Sequence, residues 1–299
     1  MPQRRADDLR STYSVVLEEV SQGHTTRLPL YKQLHELLGQ NKLVVSIFTS
    51  FKREALLNDE DADMLEEVLQ NSKMDSPHVL LILNSAGGFA LPAERIVNIL
   101  QSYSKSGFTV VVPKMAKSAA TMICFGAEEI WMSQTSELGP IDPQIPIYDE
   151  NGKWSGSYAA HEIIESYEGL IKKANETRGR LEPFLQQLAR FDARDIRRIK
   201  SAQELSENVA TKCLKGGLMK GLSEKAIKKK IEPFLKPKYT KVHGRPIYHD
   251  VAEQCGLNIK RHCCPVKSRR ESTGCDLRVK YPGSQMLPRP VKLALFQKE

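Results

Sequence analysis

The chain has 299 residues, enough for one large domain or two ordinary ones, and a composition of 40% hydrophobic and 27% charged residues excludes a disordered chain. Its net charge of +8 would suit an anionic partner, but the excess lies in residues 178–241 and the last forty positions. With no aromatic-interleaved RNA- or DNA-binding motif, solvated helix faces and a basic tail explain the charge better than nucleic acid does.

No apolar stretch follows the N-terminal Met-Pro-Gln-Arg-Arg, and no run of about 18 apolar residues occurs anywhere. Neither a signal peptide nor a membrane span is therefore expected, and the expected compartment is the cytoplasm, with its six cysteines reduced.

In chain order, the spacing of Leu30, Leu34, Leu37 and Leu38 predicts a helix over 27–39. The run Leu43-Val-Val-Ser-Ile-Phe predicts a buried strand. Residues 59–71 place Leu65, Val68 and Leu69 on one helical face, with Asn58 or Asp59 as the cap. A second strand, Val79-Leu-Leu-Ile-Leu, ends in Asn84-Ser-Ala-Gly-Gly. A helix with Ala93, Ile96, Val97 and Leu100 at core spacing follows, then a strand at Phe108-Thr-Val-Val-Val. Residues 115–125 are small and apolar, and Glu129-Ile-Trp-Met reads as a fourth strand. Strands alternating with helices imply an α/β fold with a largely parallel core sheet. From 160 to 236 the pattern is helical, broken at Gly216-Gly217 and Gly221, and resumed from an N-cap at Ser223. A further helix starts at His249, after His243-Gly-Arg-Pro. Residues 258–299 read as an irregular basic extension.

In parallel α/β sheets, sites form where strands end and helices begin, and two such ends are unusual. At Asn84-Ser-Ala-Gly-Gly, paired glycines let backbone amides face a ligand. A tight strand-to-helix turn accounts for them equally well, and a phosphate cradle lacks its Lys-Ser/Thr. At Lys114-Met-Ala-Lys-Ser-Ala-Ala-Thr-Met, Ser118 would expose its hydroxyl at a helix start, as a nucleophile or simply as an N-cap. A third segment, Ser136-Glu-Leu-Gly-Pro-Ile-Asp-Pro-Gln, forms a rigid loop that could line the same cleft.

In this order and spacing the three segments, with Ala93-Glu-Arg-Ile between them, resemble the serine dehydrogenase proteinase family. That family is a relative of signal peptide peptidase A and the Clp proteolytic subunit. The resemblance covers about residues 40–255. Residues 195–209, Gly221-Leu-Ser-Glu-Lys-Ala and residues 252–257 match the C-terminal half of the signal peptide peptidases in order. It implies a Clp/crotonase-like domain over 41–257, between an N-terminal helical extension (1–40) and the irregular extension (258–299). It implies an ATP-independent serine peptidase acting on peptide or protein substrates as a homo-oligomer, without a cofactor. Ser118 would be the nucleophile, and the amides of Gly88 and Ala119, beside Gly87, would bind the oxyanion.

The base is the departure from the pattern. The Clp subunit carries a His about 25 residues past its Ser, whereas here that stretch reads Ile141-Asp-Pro-Gln. The signal peptide peptidases use a buried Lys of lowered pKa. The matching region, Tyr167-Glu-Gly-Leu-Ile-Lys-Lys-Ala, makes Lys173 and Lys172 the candidates, with Lys117 and His161 behind them. Two alternatives stay open: a binding or scaffold protein that keeps the fold without an efficient base, and a crotonase-type acyl-CoA enzyme, in which Ser118 would have no role. The cluster Cys255, His262, Cys263, Cys264 and Cys275 lacks the Cys-x₂₋₄-Cys pairs of a zinc site, so no metal is expected there. Cys124 and Cys213 are expected in the core.

Overall fold

The computed structural model describes residues 28–38, 42–49, 56–72, 78–236, 239, 242–261 and 294–298. Its centre is a six-stranded, wholly parallel sheet. The strands are β1 (Lys42–Thr49), β2 (His78–Asn84), β3 (Phe108–Val112), β5 (Glu129–Met132), β9 (Ile259–Arg261) and β10 (Ala294–Lys298), in the order β10-β1-β2-β3-β5-β9. The first four are those predicted from the apolar runs. Both faces of these strands are covered, which is why they read as continuous apolar runs and not as an alternation.

On one face Val45, Ile47, Leu81, Leu83, Val110 and Val112 enter the main core. That face is covered by α2 (Asp59–Asn71), α3 (Ala90–Tyr103), α4 (Ala119–Phe125) and α7 (Ala193–Gly216). Ala93, Ile96, Val97 and Leu100 of α3 are all buried, as their spacing predicts. On the opposite face Val44 and Leu80 pack with Tyr31 of α1 (Leu28–Leu38), and the Tyr31 hydroxyl bonds the buried Ser46. Of the two caps considered for α2, the structure uses Asn58: its side chain accepts from Asp61 N, and Asp61 Oδ2 accepts from Asn58 N at 2.8 Å. The helix α7 ends at Gly216. The next glycine, Gly217, sits against the backbone of Gly126, where a Cβ would come within 2.5 Å of its carbonyl carbon.

Two expectations differ from the structure, and one stretch carried none. The stretch from 258 onward was expected to be irregular, yet it supplies β9 and β10, one on each edge of the sheet. Joining an edge takes backbone hydrogen bonds alone, and the mostly exposed β9 shows no buried pattern. Between the rigid loop and the helix α5 (Ala160–Glu176) stands an antiparallel hairpin of β7 (Gln144–Tyr148) and β8 (Trp154–Ala159) that no apolar alternation announced. No residue of β7 is buried and β8 is largely exposed, so the hairpin's signal is the Asn151-Gly152 turn. Cys255, grouped with the tail cysteines, is instead a buried core residue with its thiol pushed up to about 11 by desolvation. Cys124 and Cys213 are buried as expected, and desolvation raises both thiols, that of Cys213 to about 12. His262, Cys263, Cys264 and Cys275 lie outside the described residues, as does the N-terminal extension before Leu28. Among the described residues, no group of three or more His, Cys, Asp or Glu could hold a metal ion, and no helix is long and apolar enough to cross a membrane.

Candidate active site

The carboxyl ends of β2 and β3 bring two of the three sequence segments into contact. After Asn84 the chain runs beside β4 (Met115–Ala116): Ser85 N donates to Met115 O at 2.9 Å, and Lys117 N donates to Ser85 O at 3.0 Å. The Asn84 carboxamide oxygen also accepts from Met115 N. Ser85 is fully buried, and its hydroxyl oxygen accepts from Thr49 Oγ1 and from Gly87 N, both at 3.0 Å. These bonds hold the glycine pair against residues 117–119.

Contact there is close enough to require glycine. A Cβ on Gly87, whose φ is +105°, would lie 2.6 Å from Lys117 O, 2.8 Å from Ser118 Cβ and 3.3 Å from Ala119 N. On Gly88 it would lie within 2.3 Å of the Leu57 backbone. Gly88 is gripped there because Leu57 N donates to Gly87 O and Phe89 N donates to Leu57 O. Among the described residues, neither the Gly88 amide nor the Ala119 amide donates a hydrogen bond. Ala119 opens α4, where the first amides have no intrahelical acceptor.

Ser118 directly precedes Ala119 and faces Gly87, half-buried, with φ +50° and ψ −120°. It is the only non-glycine residue with positive φ among the described residues. Such backbone costs about 1–3 kcal/mol and gathers at functional sites. The hydroxyl caps nothing, which removes the ordinary reason for a serine at a helix start.

The third segment closes the same loop cluster. β6 (Glu137–Leu138) pairs with β4, and Leu138 forms an antiparallel bridge to Ile247, with both hydrogen bonds at 2.9 Å. The Thr121 hydroxyl, one turn beyond Ser118, donates to Ala116 O at 2.7 Å and accepts from Gly139 N at 3.1 Å. Lys117 reaches the other way: its ammonium donates to Leu138 O at 3.2 Å and pairs with Glu137 at 2.7 Å. It is thereby a strut between the turn after β4 and β6. Three residues past Gly139, Asp142 is buried. Its Oδ1 lies 2.8 Å from His243 Nδ1, and its Oδ2 accepts from Gln144 Nε2 at 2.9 Å. Sequence reasoning passed over His243 because its partner is 101 positions away; nothing local marks it.

The two lysines carried by the resemblance are placed elsewhere. Both stand exposed on α5, which packs on α6 (Glu182–Leu188), α7 and β8. Lys172 has a side chain 75% exposed and faces Glu176 at 3.9 Å. Lys173 lines a cleft of about 500 Å³ with Glu165, Leu170, Arg190 and Phe191, none of which belongs to the three segments. Neither ammonium is buried within this chain. His161 is half-buried, and its Nδ1 is buried without a partner among the described residues.

Residues 48–168 match the family described as ClpP-like SDH-type serine proteinase. The matched stretch holds Gly87, Gly88, Ser118 and Asp142 and stops short of Lys172, Lys173 and His243. Two uncharacterised proteins of Methanocaldococcus jannaschii are similar over part of the chain. One is 33% identical over 108 residues, 36% of this chain and 33% of the relative. The other is 30% identical over 120 residues, 40% and 38% respectively. The chain thus spans about a third of the length of the curated relatives it matches. Two solved structures of a membrane-bound stomatin-specific protease, 1510-N, are also similar. One point variant is 20% identical with a TM-score of 0.33, covering 46% of this chain and 66% of that one. Another, bound to a substrate peptide, is 16% identical with a TM-score of 0.31, covering 75% and 91%.

Proposed function

We propose that this chain, whose residues 48–168 match the ClpP-like SDH-type serine proteinases, hydrolyses peptide bonds by acyl transfer through Ser118. The observation that carries the reading is the strained Ser118, its hydroxyl capping nothing, packed against Gly87 and flanked in the chain by the undonated amide of Ala119, with that of Gly88 beside Gly87. The hydroxyl would attack a peptide carbonyl carbon, and the two amides would receive the oxygen as negative charge develops on it. Such donors act without reorganising, and losing one costs about 10²–10³ in rate. Gly87 supports this by having no side chain: a Cβ there would occupy the space between the two amides.

Substrates would be peptides or proteins, and the working form a homo-oligomer. The exposed Tyr148, Trp154 and Tyr158 of the β7–β8 hairpin supply apolar surface for such contacts. A crotonase-type reaction finds no support in this geometry, since it leaves the strain at Ser118 without a purpose.

A fluorophosphonate probe tests the reading. It is expected to label the wild type at Ser118 and to leave Ser118→Ala unlabelled. Equal labelling of the two proteins would remove Ser118 from the mechanism.

A further inference from the structure

Granting Ser118 as the nucleophile, we infer that His243 is its general base and that Asp142 is the residue that positions it. The pair sits on the two segments laced to the serine turn. Thr121 and Lys117, which flank Ser118, hold Gly139 and Leu138. From Gly139 to Asp142 the chain can reach at most about 11 Å. His243 arrives by the other segment, four residues before Ile247, whose bridge to Leu138 joins it to the same small sheet.

The hydrogen bonds dictate the chemistry of the ring. Asp142 is only 4% exposed, and a carboxylate so buried must have its oxygens bonded. Gln144 supplies one bond and His243 the other. A carboxylate only accepts, so Nδ1 of His243 carries the hydrogen, and the lone pair of the neutral ring is at Nε2. Nε2 has no partner among the described residues, and the side chain is one quarter exposed, so this lone pair opens outward from the buried carboxylate. Among the described residues, Asp142 is the titratable group paired with His243. A base oriented by a third group is what a serine hydroxyl needs to become nucleophilic. Neither exposed lysine of α5 offers this arrangement.

The proton accounting closes. As Ser118 Oγ bonds to the carbonyl carbon, its proton passes to His243 Nε2 and the π pair moves to the oxygen facing Gly88 and Ala119. Collapse breaks the C–N bond, and the leaving amine takes the proton from Nε2, leaving an ester on Ser118. Water then adds to that ester as Nε2 accepts its proton. The C–O bond to Ser118 breaks, Oγ recovers the proton, and a carboxylic acid leaves.

The test is the rate of fluorophosphonate labelling at Ser118, in which the serine oxygen displaces fluoride and the base takes its proton. His243→Ala is expected to lower this rate by about 10²–10⁴, and added imidazole to restore part of it. His243→Gln, which keeps a polar group against Asp142, guards against a fold defect, and unfolding midpoints confirm that each variant is folded. Asp142→Asn is expected to slow labelling and to abolish the low-field Nδ1 proton resonance of His243. Labelling of both His243 variants at the wild-type rate would overturn the inference while leaving Ser118 in place. A slowed rate that imidazole leaves unchanged would overturn it too, since it assigns His243 a structural part. A wild type that is never labelled at Ser118 would remove the proposed function first, and the base with it.

Discussion

Replacing Gly87 by alanine puts a methyl group where the serine turn already is. The nearest atoms, Lys117 O at 2.6 Å and Ser118 Cβ at 2.8 Å, belong to or stand on backbone and cannot swing aside. Reaching ordinary contact requires a retreat of roughly 0.8 Å from Lys117 O. Neither side offers it: Gly87 is pinned through both its N–H and its C=O, and Gly88 already lies against Leu57. Backbone strain at φ +105° adds about 1–3 kcal/mol and overpacking a further 1–3 kcal/mol. A loss of about 2–6 kcal/mol is expected, a large part of the 5–15 kcal/mol typical of a domain. Where the protein accommodates the methyl by shifting the loop, the Gly88 amide moves by nearly an ångström. The labelling rate at Ser118 should then fall about 10²-fold or more. Urea unfolding followed by circular dichroism reads the first effect and fluorophosphonate labelling the second. Wild-type values in both assays would refute the close approach of the two loops. Lost stability with an unchanged labelling rate would refute a part for the glycine loop in the site.

Two further outcomes follow from positions on either side of this contact. Ser118→Gly should gain about 1–2 kcal/mol in unfolding free energy, since glycine adopts φ +50° without strain, while abolishing labelling; a destabilised variant would show that the hydroxyl, and not the backbone, holds this turn. At the other end of β2, desolvation by burial and then the nearby Lys42 ammonium hold His78 below its usual 6.5, so the unfolded chain binds the proton more readily. Stability contributed by neutral His78 is therefore fully present above pH 6.5 and lost as pH falls through the depressed value; pH-dependent urea unfolding should show this decline in the wild type and less of it in His78→Gln.

The local patterns carried a definite part of this protein. Apolar runs marked β1, β2, β3 and β5 because a strand buried on both faces has no polar side to show. Core spacing marked α3 because one face of it meets the sheet. The hairpin β7–β8 and the edge strand β9 left no such trace, since few of their residues are buried and backbone pairing holds them.

The candidate site divides along the same line. Glycines 87 and 88 and Ser118 were legible because strand ends, paired glycines and a serine among small residues are features of neighbouring positions in the chain. Only the tertiary structure decided what surrounds them. It turned Lys117 to Glu137, left Lys172 and Lys173 in solvent, and closed Asp142 onto His243 across 101 residues. Helical periodicity tells which face a lysine occupies but not whether another element covers that face. A hydrogen bond between distant segments depends on how the loop after β6 and the strand at Ile247 meet, and no local preference of either segment records that meeting.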